Sequence, residues 1–388
     1  MERTTLLLLT GGRGESEVVR DLEAARRAAA RDLLETLSQI PGIERTIVAT
    51  NHAGWASTLN DLPVEVDLDP PGEPFHFGRR LAGLIQHCGA QRVLYTSGGS
   101  APLLRRQQWV DVLESLGRGE RVVISNNLHS CDWAGFVPAQ EACSRIAEQV
   151  NDNSIAWTLA HELGFRAVDR DPSAGSRFDI DTPMDLLIAH RHPRIASHLR
   201  RYLDGLGWRS PQLDGVLAEM AREGGRLMVA GRVSAAAWVA LERSTRCWVR
   251  VYAEERGMRA SGRQGRGEVR SLLADYANLV SVEHLFDRLS ELAHAILLDN
   301  RVILASRSRG CAARPWPSAT DRFHSDLQRW RDVKDPFLQR LTRAAAEASA
   351  PVVMGGHSVV TGGLMALTEV LQTRRSVGQE ENVRWRRY

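Results

Sequence analysis

Short apolar runs, each closed by small or polar residues and followed by a helical period, set the rhythm of this chain. Leu6–Leu9 stops at Thr10-Gly11-Gly12-Arg13-Gly14, and apolar positions then recur at Val19, Leu22, Ala25, Ala29, Leu33, Leu37 and Ile40. Strand, glycine turn and helix are the opening of an α/β unit. Thr46–Thr50 ends at Asn51-His52, Val64–Leu68 is a short strand, and Phe77–His87 reads as a helix. Arg92–Thr96 runs into the loop Ser97-Gly98-Gly99-Ser100-Ala101-Pro102-Leu103-Leu104. Arg121–Ser125 ends at Asn126-Asn127 and leads to His129, Ser130 and Asp132, and a helix follows Asn153-Ser154 through Trp157, Leu159 and Leu163. This alternation predicts an α/β fold with a doubly wound, mostly parallel sheet, whose ligands gather at the carboxyl ends of the strands.

Residues 178–186, Phe-Asp-Ile-Asp-Thr-Pro-Met-Asp-Leu, read as the end of a strand entering a capped helix. Thr182 suits the N-cap, Pro183 the first helical position and Asp185 the reciprocal cap three residues on. Asp179 and Asp181 are two apart, so an extended backbone sends both carboxylates to one face. A divalent cation or ligand hydroxyls would relieve their repulsion. The competing assignment leaves Asp179 solvated and gives Asp181 to the helix start. At the first turn, glycines let the backbone approach a phosphate and Arg13 could add a charge-assisted contact, although many α/β proteins begin with a glycine turn that binds nothing.

Residues 191–224 read as a helical connector broken at His192-Pro193 and Ser210-Pro211. Beyond Gly224-Gly225 a second α/β or α+β block is predicted over 225–372. Its strands lie at Arg226–Ala230, Cys247–Tyr252 and Pro351–Met354, Ser234 caps a helix over 235–242, and an apolar run covers Ile296–Ser306. Polar groups cluster at the strand ends: Glu254, Glu255, Arg256, Arg259, Asp299, Arg301, Asp326 and His357. Arginines beside glycine turns suit a phosphate or carboxylate, and Gly355–Ser358 could offer backbone donors. His357 is a general base, a ligand contact or a solvated side chain, and Asp299 with Arg301 reads as a buried salt link. The arginines at 259, 263 and 266 suggest a mobile basic loop or a solvated linker. Residues 373–388, including Trp385, read as a disordered tail.

Composition narrows the picture. A chain of 388 residues exceeds one ordinary core, so two domains are expected. Fifty basic against 47 acidic side chains leave a formal charge of +3, too near balance to hold nucleic acid through a global field. Five cysteines without a Cys-x-x-Cys pair argue against a disulfide framework or zinc knuckle and fit a cytoplasmic setting. The run Thr5–Leu9 is too short to span a bilayer, so no membrane association is expected.

Leu6–Gly14, Val93–Leu104 and the Asp-x-Asp-Thr-Pro-x-Asp-Leu motif at 178–186 together resemble the nucleotidyltransferase branch of the GT-A fold, notably the guanylyltransferases that act on molybdopterin or phospholactate-type acids. The resemblance covers about residues 4–190, giving a first domain over 1–190. It implies that Gly11, Gly12, Arg13 and Gly14 face phosphates or base, that the loop Ser97–Pro102, with Ser97, Gly98, Gly99 and Ser100, edges the nucleotide, and that Asp179 or Asp181 holds magnesium; Asn126, at a strand end, is a further candidate nucleotide contact. Two departures stand out: the first loop lacks its usual lysine, and Ser100-Ala101 replaces an aspartate before Pro-Leu-Leu. Asp132 is the candidate for the missing acid. The implied activity is magnesium-dependent transfer of a nucleotidyl group from a nucleoside triphosphate to a small phosphorylated or carboxylated acceptor. Sugar transfer from a nucleotide-sugar donor and a non-catalytic nucleotide-binding sensor or scaffold are the alternatives, and a homodimer is left open.

Overall fold

The computed structural model describes residues 3–12, 14–70, 72–309 and 314–385, with side chains through residue 374. The expectation for Arg13 lies outside the described residues, whereas the tail expected to be disordered from residue 373 is instead helical as far as Trp385, as part of the helix Gly362–Trp385. Two compact units emerge. The first comprises Met1–Glu15, Glu23–Ile180 and Ala196–Gly205; the second comprises Ser16–Leu22, Asp181–Ile195 and Leu206–Tyr388. Among the described residues no helix is long and apolar enough to cross a membrane.

Among the described residues the first unit holds seven strands: β1 (Thr4–Leu9), β2 (Ile43–Thr50), β3 (Glu65–Leu68), β4 (Val93–Ser97), β5 (Val122–Ser125), β6 (Trp133–Val137) and β7 (Arg166–Asp169). Their order is β3-β2-β1-β4-β6-β5-β7. Only β6 runs antiparallel to its neighbours. Alternate residues of β1 feed two cores. Leu6 and Leu8 pack with Leu33, Leu34, Trp109 and Val112, while Leu7 and Leu9 pack with Leu81, Ile85, Ile146 and Ile155. The period of two thus buries both faces under helices. Asp32 accepts the backbone N–H groups of His198 and Leu199 at 2.9 and 2.8 Å, which caps the helix Ser197–Leu206.

The second unit is built on β8 (Arg226–Gly231), β9 (Trp248–Ala253), β10 (Ala295–Asp299) and β11 (Val352–Gly355), in the order β11-β10-β8-β9. All its pairings are parallel. One face carries a core of Met228, Ala230, Ile296, Leu298, Phe286 and Leu338 among others. Ser234 accepts the Ala237 N–H at 3.1 Å and starts the helix Ala235–Ser244.

Four further expectations change. Residues 178–181 are extended but form only an isolated bridge, Ser100 to Asp179, instead of a strand. The apolar run after Ile296 breaks at Asn300 and continues as the helix Arg301–Ser308. The stretch after Asn126 turns back as β6, a strand hidden by the polar residues before it. Finally, residues 257–267 are folded on themselves and do not form an open linker: Arg263 pairs with Glu255, Arg266 donates to Glu268 at 2.8 Å, and Gln264 N–H reaches Met258 O at 2.9 Å. Met258 and Val269 are buried beneath that turn.

Candidate functional site

In the first sheet the chain leaves β1 towards β2 on one side and returns to β4 on the other, so a crevice opens outside the ends of β1 and β4. The glycine turn lies there. Asn51, at the end of β2, clamps it by accepting the Gly12 N–H at 3.2 Å and donating to Gly12 O at 2.7 Å. A Cβ on Gly98 would lie 2.4 Å from Thr10 Oγ1, so the absence of a side chain lets the two loops touch. An anion already faces the turn. Gly14 N–H donates to Glu23 Oε1 at 3.2 Å, and a Cβ on Gly12 would lie 2.0 Å from the Glu23 carboxyl carbon. A protein carboxylate therefore takes the position expected for a phosphate.

The second loop is held from within. Ser100 is buried, accepts the Ser97 N–H at 3.2 Å, bonds the Ser97 hydroxyl at 2.7 Å and donates to Asp132 O at 2.7 Å. Ser100 is thus committed to joining the loop to the start of β6. Asn126 is also buried; it donates to Asp132 Oδ2 at 2.6 Å and accepts the Asp132 N–H at 3.0 Å. Ser97, Ser100, Asn126 and Asp132 thus form one cluster, joined to Asp179 by the Ser100 bridge and to Ile180 by its N–H on Gly99 O at 3.0 Å. Gly98 and Gly99 serve close packing: a Cβ on Gly99 would meet Ile180 O at 2.8 Å and Arg26 Nε at 2.9 Å.

Exposure alternates along the acidic motif: Asp179 is half-buried, Ile180 buried and Asp181 exposed, as an extended backbone with two outward carboxylates requires. The helix Pro183–Arg191 begins as its residues dictate. Asp185 accepts the Thr182 N–H at 2.7 Å and the Thr182 hydroxyl at 2.9 Å, plus the Asp181 N–H at 3.0 Å. Burial, then the nearby Asp181 charge, push the Asp185 carboxyl up to about 7.

Hard carboxylates of this kind suit magnesium, which needs one or two protein oxygens when a substrate supplies the rest. The described cluster of three metal-capable groups lies elsewhere, at Asp32, Glu35 and His198. Its members are taken: Asp32 caps a helix, and Glu35 Oε1 receives both Arg31 at 3.1 Å and His198 Nε2 at 2.9 Å. The missing loop lysine has a chain-wide counterpart, since Lys334 is the only lysine present. Arg26, against Gly99, is the basic group at the crevice that sequence reading missed, because on a helix it looks like any solvated position. Asn51 was visible as a strand end but carried no sign of its clamp.

At the carboxyl edge of the second sheet the pairings differ from those expected. Asp299 does not pair with the Arg301 side chain. It receives Arg232 at 2.5 and 3.1 Å, while Arg301 pairs with Asp326 at 2.8 and 2.6 Å. Burial alone would raise Asp299, but Arg232, with His357 and Arg301, holds it below the usual carboxylate range. Glu254 caps the helix Leu272–Val280 through Ser271 and the Leu272 N–H, and Glu255 receives Arg263 and the Arg270 N–H. Both glutamates are structural here. Gly355 and Gly356 admit the motif helix: a Cβ on Gly356 would lie 2.9 Å from Thr182 Cγ2. His357 keeps an exposed face, yet crowding around the ring and the Arg232 guanidinium push it down to about 4.

Among the described residues the amino-terminal half is a mostly parallel seven-stranded sheet with one antiparallel member. No family model and no curated protein matches the sequence. Among solved structures, a cytidylyltransferase from Leptospira borgpetersenii matches 53% of this chain and 93% of its own, at 13% identity and a TM-score of 0.39. A nucleotidyl transferase from Methanothermobacter thermautotroptrophicus matches 52% and 99%, at 16% identity and 0.37. The 4-diphosphocytidyl-2C-methyl-D-erythritol synthase from Anaerococcus prevotii matches 53% and 96%, at 9% identity and 0.36. At such identities and scores, function must be argued from the residues.

Proposed function

We propose that the first unit binds a nucleoside triphosphate at the crevice beside β1 and β4 and transfers its nucleotidyl group to a small phosphorylated or carboxylated acceptor. The observation that carries this reading is the meeting, at one sheet edge, of the Asn51-clamped glycine turn with the Ser97–Ser100 loop and the Asn126–Asp132 pair. The backbone N–H of Gly11, and that of Gly14 in exchange for Glu23, would steady phosphate oxygens, and Arg26 would supply the charge that a loop lysine gives elsewhere. An acceptor oxygen attacks the α-phosphorus, its new P–O bond forms, and the bond to the leaving pyrophosphate breaks. Such chemistry depends on placement and charge neutralisation and uses no protein nucleophile. Asp179 and Asp181 would hold magnesium, whose charge offsets that of the triphosphate.

The test is product analysis by mass spectrometry with mixed nucleoside triphosphates, nucleotide sugars and acid acceptors. Released pyrophosphate, lost in a folded Asp181→Asn variant, supports nucleotidyl transfer; full activity in that variant removes it. Release of a nucleoside diphosphate would instead support sugar transfer. One observation favours the non-catalytic reading: the Glu23 carboxylate at the glycine turn competes with phosphate. Nucleotide binding that is indifferent to magnesium and gives no product would establish that alternative.

A further inference from the structure

A cavity of about 440 Å³ opens among three helices of the second unit, Leu272–Val280, Arg301–Ser308 and Pro336–Ala346. Such a volume holds a small organic molecule. Part of its lining is apolar, because Ala274, Ile303 and Phe337 belong to the buried core of this unit. The rest is charged. Arg307, Arg309, Arg314 and Arg340 line the cavity against one acid, Asp275. Distances fix two of these guanidinium groups at the wall. Arg307 Cζ lies 4.5 Å from the centroid of the Phe337 ring, and an Arg309 terminal nitrogen lies 3.9 Å from Asp275 Oδ1. Phe337 and Asp275 are themselves lining residues. Arg256 and Arg259 stand exposed on the folded turn at 257–267 and its approach, and are not among the residues of this wall.

The chain does not neutralise this wall. Arg309 donates from Nε to Ser306 O at 2.8 Å, a bond that the helix end explains, but its distance to Asp275 is too long for a hydrogen bond. Arg340 meets Glu283 at 3.1 Å with both side chains more than half exposed, a pair that solvent weakens. Neither Arg307 nor Arg314 has an acidic partner among the described residues. Four guanidinium groups against one carboxylate leave the lining three formal positive charges in excess. A carboxylate ligand brings one charge and is satisfied by a single guanidinium fork, whereas a phosphate brings up to two charges and three oxygens and engages several forks. We propose that this cavity binds a small molecule carrying phosphate groups, with its charged part held by Arg307, Arg309 and Arg314 and its apolar part resting on Ile303 and Phe337. Asn278, also in the lining, adds an amide that can donate or accept.

Isothermal titration of the full chain with inorganic pyrophosphate in magnesium-free buffer tests the site, with citrate as the carboxylate of similar charge. Saturable pyrophosphate binding is expected, about tenfold tighter than that of citrate or more. Arg307→Gln/Arg314→Gln should weaken it by about tenfold or more, and Asp275→Asn, which removes the competing carboxylate, should tighten it by roughly threefold. Opposite signs from two changes in one wall are not what a purely structural role gives. Arg314 is exposed, so Arg314→Gln alone, with a loss of roughly threefold, carries the test should the double variant melt early. The same binding event should persist in Asn51→Ala, which alters only the first unit's turn. No saturable binding in the wild type, citrate bound as tightly as pyrophosphate, undiminished binding in Arg314→Gln, no gain in Asp275→Asn, or loss in Asn51→Ala overturns the assignment. Failure here leaves the nucleotidyl-transfer reading untouched, because the two rest on different units.

Discussion

The two units differ in how far each supplies its own counter-charges. At the first, a backbone donor of the glycine turn, the Gly14 N–H, is met by a carboxylate, Glu23. In the second, Asp299 and Asp326 neutralise Arg232 and Arg301 at the sheet edge, whereas Arg307 and Arg314, which line a cavity, have no acidic partner among the described residues. A parallel sheet concentrates loop ends and helix starts at one edge, so some anion is favoured there. The difference shows that a protein can provide an anion itself or leave the position to a ligand.

The strongest test of the contrast is to break a buried pair. Arg232→Ala would strand Asp299 without a counter-charge and cost about 3–5 kcal/mol in chemical denaturation. Arg232→Met/Asp299→Leu should recover most of that loss, because removing both charges also removes their desolvation. If the single and double variants are equally unstable, the pair is part of a wider network.

Asp185 gives a pH signature. Its folded value of about 7 exceeds the ordinary carboxylate value, so the folded state holds the proton more tightly. Its contribution is therefore full below about pH 4 and declines as pH rises to about 7, by at most ~1.4 kcal/mol per pH unit. The difference in stability between wild type and Asp185→Asn, followed by denaturant melts across that window, should trace this slope. A flat difference would mean that Asp185 titrates normally.

Ser100→Ala removes the hydroxyl that joins Ser97 to the start of β6, and a cost of about 1–3 kcal/mol is expected. The smallest effect concerns Glu23. Glu23→Gln removes the competing charge at the turn and should tighten nucleoside triphosphate binding by roughly tenfold, read by thermal shift or titration. Unchanged affinity would place the phosphates away from Gly12 and Gly14.

Legibility followed the range of the forces involved. β1, β4 and β8 are apolar runs with abrupt polar stops, and their positions could be read to within a residue or two. The Thr182–Asp185 cap was equally plain, since all its partners lie within four residues. β7 was missed because it is a short edge strand with exposed residues and no apolar signature. β6 was missed because the polar stretch after Asn126 masks the short apolar run Trp133–Val137, and its reversed direction is set by β4 and β5.

By itself, then, the chain determined where backbone conformations change: apolar alternation, glycine stops and local caps are short-range and leave their mark in neighbouring residues. Tertiary structure alone decided which charges meet. Asp299 lies two residues from Arg301 in sequence but bonds the side chain of Arg232, 67 positions away, and Glu23 reaches a turn on the preceding strand's end. Charged side chains are long and their attraction acts through space, so the partner is chosen by which strand ends the sheet brings together.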